Sequence, residues 1–183
     1  MKYYRIVVFC TFLSSLFLVS SCSSELDFNQ VNDAKLEPVF IANLSYFDVQ
    51  PKDFFVNGQE QAIAFDAENF DVFRDKYFKS YLRKADFYFE VENTITRSFS
   101  LDIVLFDQND QVLYIKTLAI PAYTGTTIRV TDTDIFENAK LDLLKRTTRL
   151  GFGIVKNAGT PLTVNSPGNL ILRSTATVYL VIQ

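Results

Sequence analysis

Cys22 carries the most definite chemistry in this chain, because of what precedes it. Lys2 and Arg5 make a short positive start, an apolar run begins at Ile6, and Val19, Ser20 and Ser21 lead directly into the cysteine. That is the pattern of a secretory signal segment, with an end like a bacterial lipobox. A thiol is needed to carry a diacylglyceryl group, and small residues before it admit a peptidase that cleaves on its amino side. A transmembrane helix is the first alternative. The run from Ile6 to Val19 is about 14 residues, short of the roughly 20 that cross a bilayer. A plain secretion signal is the second, and it leaves the placement of the cysteine as coincidence. The sequence therefore predicts a lipoprotein signal peptide over 1–21 and lipidation at Cys22. At about 0.8 kcal/mol per buried methylene, two or three long chains would anchor the protein essentially permanently.

Beyond Cys22 the inventory excludes more than it offers. There is no histidine, and Cys22 is the sole cysteine after residue 21. Ser–His–Asp and Cys–His catalysis, histidine and cysteine zinc sites and internal disulfides are therefore ruled out. Carboxylate-only chemistry, calcium binding and Ser–Lys pairs remain. Removing residues 1–21 takes two bases and no acid, so 18 basic and 21 acidic side chains become 16 and 21. This acidic balance points away from nucleic acid, which needs a basic field. Tryptophan is absent, which weakens any case for carbohydrate stacking.

Four constellations carry residue types that do chemistry. Asp107, Asn109 and Asp110 have the start of a calcium loop, but Gln111 to Ile115 continues straight into strand, so the segment reads as a hairpin turn. Asp132, Asp134 and Glu137 are spaced for general acid–base work; placed before a helix, they read instead as caps, with Asp134 and Glu137 at capping-box spacing. Lys140, Lys145, Arg146 and Arg149 form a basic patch late in that helix. It complements the helix dipole and is the best electrostatic contact for an acidic partner or anionic headgroups. Asn165-Ser166-Pro167-Gly168 lies in the longest glycine-rich loop, where binding residues are often placed. No cofactor and no metal site is predicted.

The elements that must position these residues are mostly strands. Residues 22–37 are polar and acidic and read as a tether, and 38–183 as one domain. Glu25 and Asp27 lie close behind Cys22, in partial agreement with a surface-export signal. Val39 to Phe47 is apolar on both faces and reads as a buried strand. Asn57-Gly58 marks a hairpin between Phe54–Val56 and Ala62–Phe65. Asp66 to Asn69 offers caps for a helix with an aromatic stripe at Phe70, Phe73, Tyr77 and Tyr81, widened by Phe78 and Leu82. Strands follow at Phe87–Val91, Phe99–Leu105, Val112–Ile120 and Thr126–Val130, then a second helix with Ile135, Phe136, Ala139, Leu143 and Leu144 on its apolar side. Leu150–Ile154 and the long alternation from Leu170 to Ile182 complete the set. Seven tyrosines and 15 phenylalanines after residue 21 supply an aromatic core. The prediction is mainly β: an antiparallel β-sandwich of about eight strands with two short amphipathic helices. A faint echo links Gly58–strand–Asp66–helix–strand with Gly125–strand–Asp132–helix–strand.

The segments FDVFRDKYF, ADFYFEVENTI, DIFENAKLDLLKRT and LRSTATVYLVIQ, with SCSSELDF around Cys22, resemble a family of small uncharacterised lipoproteins of Bacteroidota, especially flavobacteria. The resemblance implies lipidation and an outer-membrane setting, on the periplasmic or cell-surface face, and brings no catalytic residues. The expected function is a non-enzymatic interaction or structural module of a membrane-associated complex, held in the membrane by its lipid and contacting an envelope protein. The alternative is a lipid-anchored binding protein for a small molecule, lipid or glycan. A carboxylate-dependent hydrolase ranks last.

Overall fold

The fold is known from a computed structural model that describes Tyr3, residues 35–70 and residues 75–182. Cys22, nearly all of the signal segment, most of the tether, and Phe73 of the aromatic stripe lie outside the described residues. Leu36–Ile182 form one compact unit.

In chain order the strands are β1 (Val39–Val49), β2 (Phe55–Val56), β3 (Gln59–Glu60), β4 (Ile63–Asn69), β5 (Leu82–Asn93), β6 (Phe99–Phe106), β7 (Val112–Ile120), β8 (Ile128–Phe136), β9 (Arg149–Lys156) and β10 (Leu170–Leu180). Helix α1 (Lys76–Tyr81) joins β4 to β5, and α2 (Asn138–Arg146) joins β8 to β9. Two four-stranded antiparallel sheets form, ordered β1-β10-β5-β8 and β4-β9-β6-β7. The small β2–β3 hairpin turns at Asn57 and Gly58, with φ of 52° and 76°, the left-handed pair that suits a two-residue turn. The mainly β, antiparallel sandwich is the fold.

Alternation decides which side chains meet between the sheets. β10 lies centrally between β1 and β5, and its Leu170, Leu172, Ser174, Ala176, Val178 and Leu180 are buried as predicted. Ile182 leaves that series and bridges to Leu36, so the tether is already tied to the domain two residues before Pro38. Phe87, Phe89 and Val91 of β5 face Leu101, Ile103 and Leu105 of β6 across one continuous core.

Several predicted elements differ from the structure. The hairpin at Asn57-Gly58 pairs Phe55–Val56 with Gln59–Glu60 and not with Ala62–Phe65, whose Ile63–Phe65 pair with β9 instead. Val39–Phe47 is not a buried strand: β1 is the edge of its sheet, and Phe40, Ile41 and Tyr46 are 52%, 74% and 65% exposed. Apolar residues on both faces mark a buried strand only where a neighbour covers it, and β1 has one on a single side. Asp66–Asn69 are strand residues paired with β9, not helix caps; α1 starts at Lys76, capped by Asp75, whose carboxylate accepts from the Phe78 backbone N–H at 2.9 Å. Tyr77 of its stripe is solvent-exposed, while Phe78 and Tyr81 pack on the core. The capping box at Asp134 and Glu137 is also absent. Strand β8 runs through Phe136, so Asp134 is an inward strand residue, and Ile135 and Phe136 belong to the strand and not to the helix's apolar side. Glu137 precedes α2 without a side-chain cap; Leu141 and Leu144 are the buried residues of α2.

The sequence echo belongs to a larger regularity. Read from the β1 edge, one sheet runs β1-β10-β5-β8; read from the β7 edge, the other runs β7-β6-β9-β4. Pairing them in that order matches β4-α1-β5-β6-β7 with β8-α2-β9-β10-β1. The chain thus lays down one strand pattern twice, with its first strand completing the second copy. Equivalent positions follow from register. Asp66 stands opposite Phe152 in β9 as Asp132 stands opposite Phe89 in β5. Phe70 and Phe136, the next aromatics after these acids, both pack on Phe87, at 6.2 and 4.8 Å between centroids.

Candidate functional site

This internal equivalence pairs the two lateral edges of the sandwich, β7/β8 and β1/β4. At the β7/β8 edge, Lys116 of β7 points inward beside Ile103 and reaches Asp132 of β8 at 2.8 Å. Two residues along, Asp134 is 6% exposed and pairs with Lys140 of α2. The Lys140 ammonium also sits 4.5 Å from the Tyr114 ring centre and 4.6 Å from that of Phe136, a cation–π arrangement. Its hydrogen bond to Asp132 raises the pKa of Lys116 above the ordinary lysine value, with burial opposing. For Lys140 burial is the largest influence and works against the charge, but bonds to Asp134 and Tyr114 outweigh it and the pKa ends raised. Inward charges that find partners protect an edge from further pairing. Here they close it.

At the β1/β4 edge the acids recur and the strand-borne lysine does not. Ala64, Asp66 and Glu68 share the inward face of β4, opposite Ile154, Phe152 and Leu150 of β9. The Asp66 carboxylate accepts from the neighbouring Ala67 N–H at 2.8 Å, and among the described residues neither Asp66 nor Glu68 has a cationic partner. The position matching Lys116 on β1 is Ser45, which pairs with Ser174 as Lys116 pairs with Ile103. Ser45 sits at a bulge after Asn43; its N–H donates to Ser174 Oγ at 3.0 Å, and its carbonyl accepts from the same hydroxyl at 2.9 Å. The sheets are left apart there by a slot of about 250 Å³. Leu44, Phe47 and Val49 supply one apolar wall, Leu150, Phe152 and Ile154 the other, and Asp66 and Glu68 the polar rim.

The outer side of β4 adds a second feature. Phe65 lies over Gly151 and Gly153 of β9 and meets Phe106 edge-on at 6.2 Å. A methyl group on Gly151 would come within 2.8 Å of the Phe65 ring and 2.9 Å of Phe106. The glycines alternating with Leu150, Phe152 and Ile154 make room for this ring.

Other predicted site residues are occupied within the fold or dispersed. The four bases do not all belong to the helix. Lys140 is in the closed edge, and Arg149 belongs to β9, where it reaches Asp110 at 2.5 Å and covers Phe106. Lys145 and Arg146 remain in the last turn of α2. Asp132 and Asp134 are strand residues held by lysines. The Asp107 carboxylate accepts from the N–H groups of Asn109 and Gln111 at 2.8 and 2.9 Å, the turn its sequence predicts. The loop holding Asn165–Gly168 is tied down at its flanks: buried Arg97 donates to the Asn157 and Thr160 carbonyls, and Thr94 exchanges hydrogen bonds with Asn169. Asp66 and Glu68 were missed because acids before an aromatic stripe imitate helix caps. The available signal was their two-residue spacing, repeated in Asp132 and Asp134.

No family model matches the chain, and no curated protein sequence matches it. Among solved structures, the infectious bursal disease virus Gx strain structure is similar with a TM-score of 0.46 and 9% identity, over 79% of this chain and 32% of that one. A Parabacteroides distasonis protein described as a candidate secreted protein is similar with a TM-score of 0.43 and 15% identity, over 63% and 38%. The chain spans about a third of the length of these structures. Neither likeness carries an inference about function.

Proposed function

We propose that this is a lipid-anchored envelope protein, held in the outer membrane through Cys22, that acts as a non-enzymatic interaction module. Its contact face is the open β1/β4 edge. The observation that carries this reading is the difference between the two equivalent edges. Where β7/β8 is closed by paired charges, β1 exposes Val39, Phe40, Ile41 and Tyr46 beside a slot whose acids meet no cation among the described residues. A long apolar edge strand promotes unwanted pairing unless a partner covers it. Lipidation would hold such a face at the membrane, where an envelope partner can meet it.

The non-enzymatic reading is supported by the absence of histidine and by the engagement of Asp132 and Asp134 in ion pairs. Slot volume favours one alternative, a lipid-anchored binder of a small molecule, although about 250 Å³ is below the usual range of such sites, roughly 300–1,000 Å³.

The test uses the full chain in its native membrane, with a photoreactive residue at Ile41 or, as control, at Thr131 on the closed edge. The reading expects discrete protein adducts from Ile41 and none from Thr131. Equal adducts from both positions, or none from Ile41, would overturn it. Cys22→Ser should abolish palmitate labelling, and persistent labelling would remove the anchor.

A further inference from the structure

We infer that the β1/β4 slot receives a lysine side chain from an extended segment of a partner protein, in the role that Lys116 plays at the β7/β8 edge. This rests on the open edge being the contact face, and it adds the chemistry of what enters there.

The fold contains its own reference for this site. Asp132 and Asp134 occupy the equivalent positions to Asp66 and Glu68, with the same inward orientation and two-residue spacing. Each of the first pair meets a lysine ammonium. One of those lysines comes from the adjacent edge strand, where β1 instead carries Ser45. The acids are thus retained on β4 and the strand-borne cation is missing.

The slot also fits the rest of a lysine. Its walls at Leu44, Phe47 and Phe152 are apolar, suited to a four-carbon stem, while the acids at the rim suit the ammonium. An apolar ligand without a cation would leave Asp66 without the partner that Lys116 gives Asp132. A carboxylate or phosphate ligand would be repelled. A second copy of this chain docked symmetrically through this edge would set acids against acids. The outer edges of β1 and β4 have no partner strand among the described residues. An extended segment along the slot mouth therefore finds backbone groups as well as the acids, as in strand addition.

The probe is a short fluorescent peptide alternating lysine and valine, titrated into the full chain in mild detergent and followed by anisotropy. Three comparisons accompany it: the peptide with acetylated lysines, the peptide with diaminopropionate in place of lysine, and the Asp66→Asn/Glu68→Gln double variant. Exposed rim acids can be neutralised without disturbing the core, and an unchanged melting curve checks this. The inference expects each change to weaken binding by about tenfold or more, as for loss of a charge-assisted hydrogen bond. Diaminopropionate keeps the charge but shortens the stem, so it separates insertion from diffuse attraction. Equal binding by the short analogue, by the acetylated peptide or by the double variant would overturn the inference, as would no binding at all. If it fails while Ile41 still cross-links in membranes, only the lysine occupant is lost; if the cross-links vanish too, the contact face is lost with it.

Discussion

The two edges of this sandwich occupy equivalent places in a repeated strand pattern, yet one is shut and the other open. Both place two inward acids on the strand that begins a strand–helix–strand unit: Asp132 and Asp134 on β8, Asp66 and Glu68 on β4. The β7/β8 edge adds Lys116 and Lys140, and the sheets meet. The β1/β4 edge has Ser45 in place of Lys116, and about 250 Å³ stays between its walls. A carboxylate with a lysine completes a structural edge; in the proposed function, the same carboxylate without that lysine marks a face completed by a partner.

The largest way to break this comparison is at the closed edge. Lys140→Met should leave Asp134 buried beside Phe136 without its cation and cost about 3 kcal/mol in urea denaturation, the lower end for a broken buried pair. Glu68→Gln at the open edge should change stability by no more than about 0.5 kcal/mol, as for an exposed surface site. Equal losses would mean that the edges do not differ as described.

Alkali should weaken the closed edge. The pKa values of Lys116 and Lys140 are raised in the folded protein. Their contribution is therefore fully present below the ordinary lysine pKa near 10.4 and is lost as pH rises through the folded values. Melting temperature should fall above about pH 10.5, and Lys116→Met with Lys140→Met should reduce that alkaline limb. An unchanged limb in the double variant would assign it to other groups.

A smaller effect is expected outside the open edge. Gly151→Ala should cost about 1 kcal/mol by crowding the Phe65 and Phe106 rings, since the added carbon would lie 2.8 Å from Phe65. Phe65→Ala in the same chain should recover most of that loss. No recovery would place the strain elsewhere.

Alternation made the core legible: β5, β6, β7 and β10 follow from period-two burial, and Asn57-Gly58 announced its turn. The edge status of β1 was not legible, because an apolar strand looks the same in sequence whether it has one neighbour or two. Asp66 and Glu68 were hidden by the caps they imitate before an aromatic run. Asp134 was hidden similarly, since strand β8 continues through Phe136 into what resembled the first turn of a helix. The repeat was visible only as an echo, because its second copy takes its last strand from the start of the chain. The candidate site depends on that long-range completion, and local patterns do not carry it.

The most direct measurement is a double-mutant cycle between Ser45→Lys and Asp66→Asn, read by urea denaturation. If β1/β4 is the closed edge without its cation, a lysine at position 45 should supply it in cis, as Lys116 does for Asp132. The predicted result is a stabilising coupling of about 0.5–1 kcal/mol between Lys at 45 and Asp at 66, absent when residue 66 is asparagine. Zero coupling, or equal effects of Ser45→Lys in both backgrounds, would contradict the equivalence of the two edges.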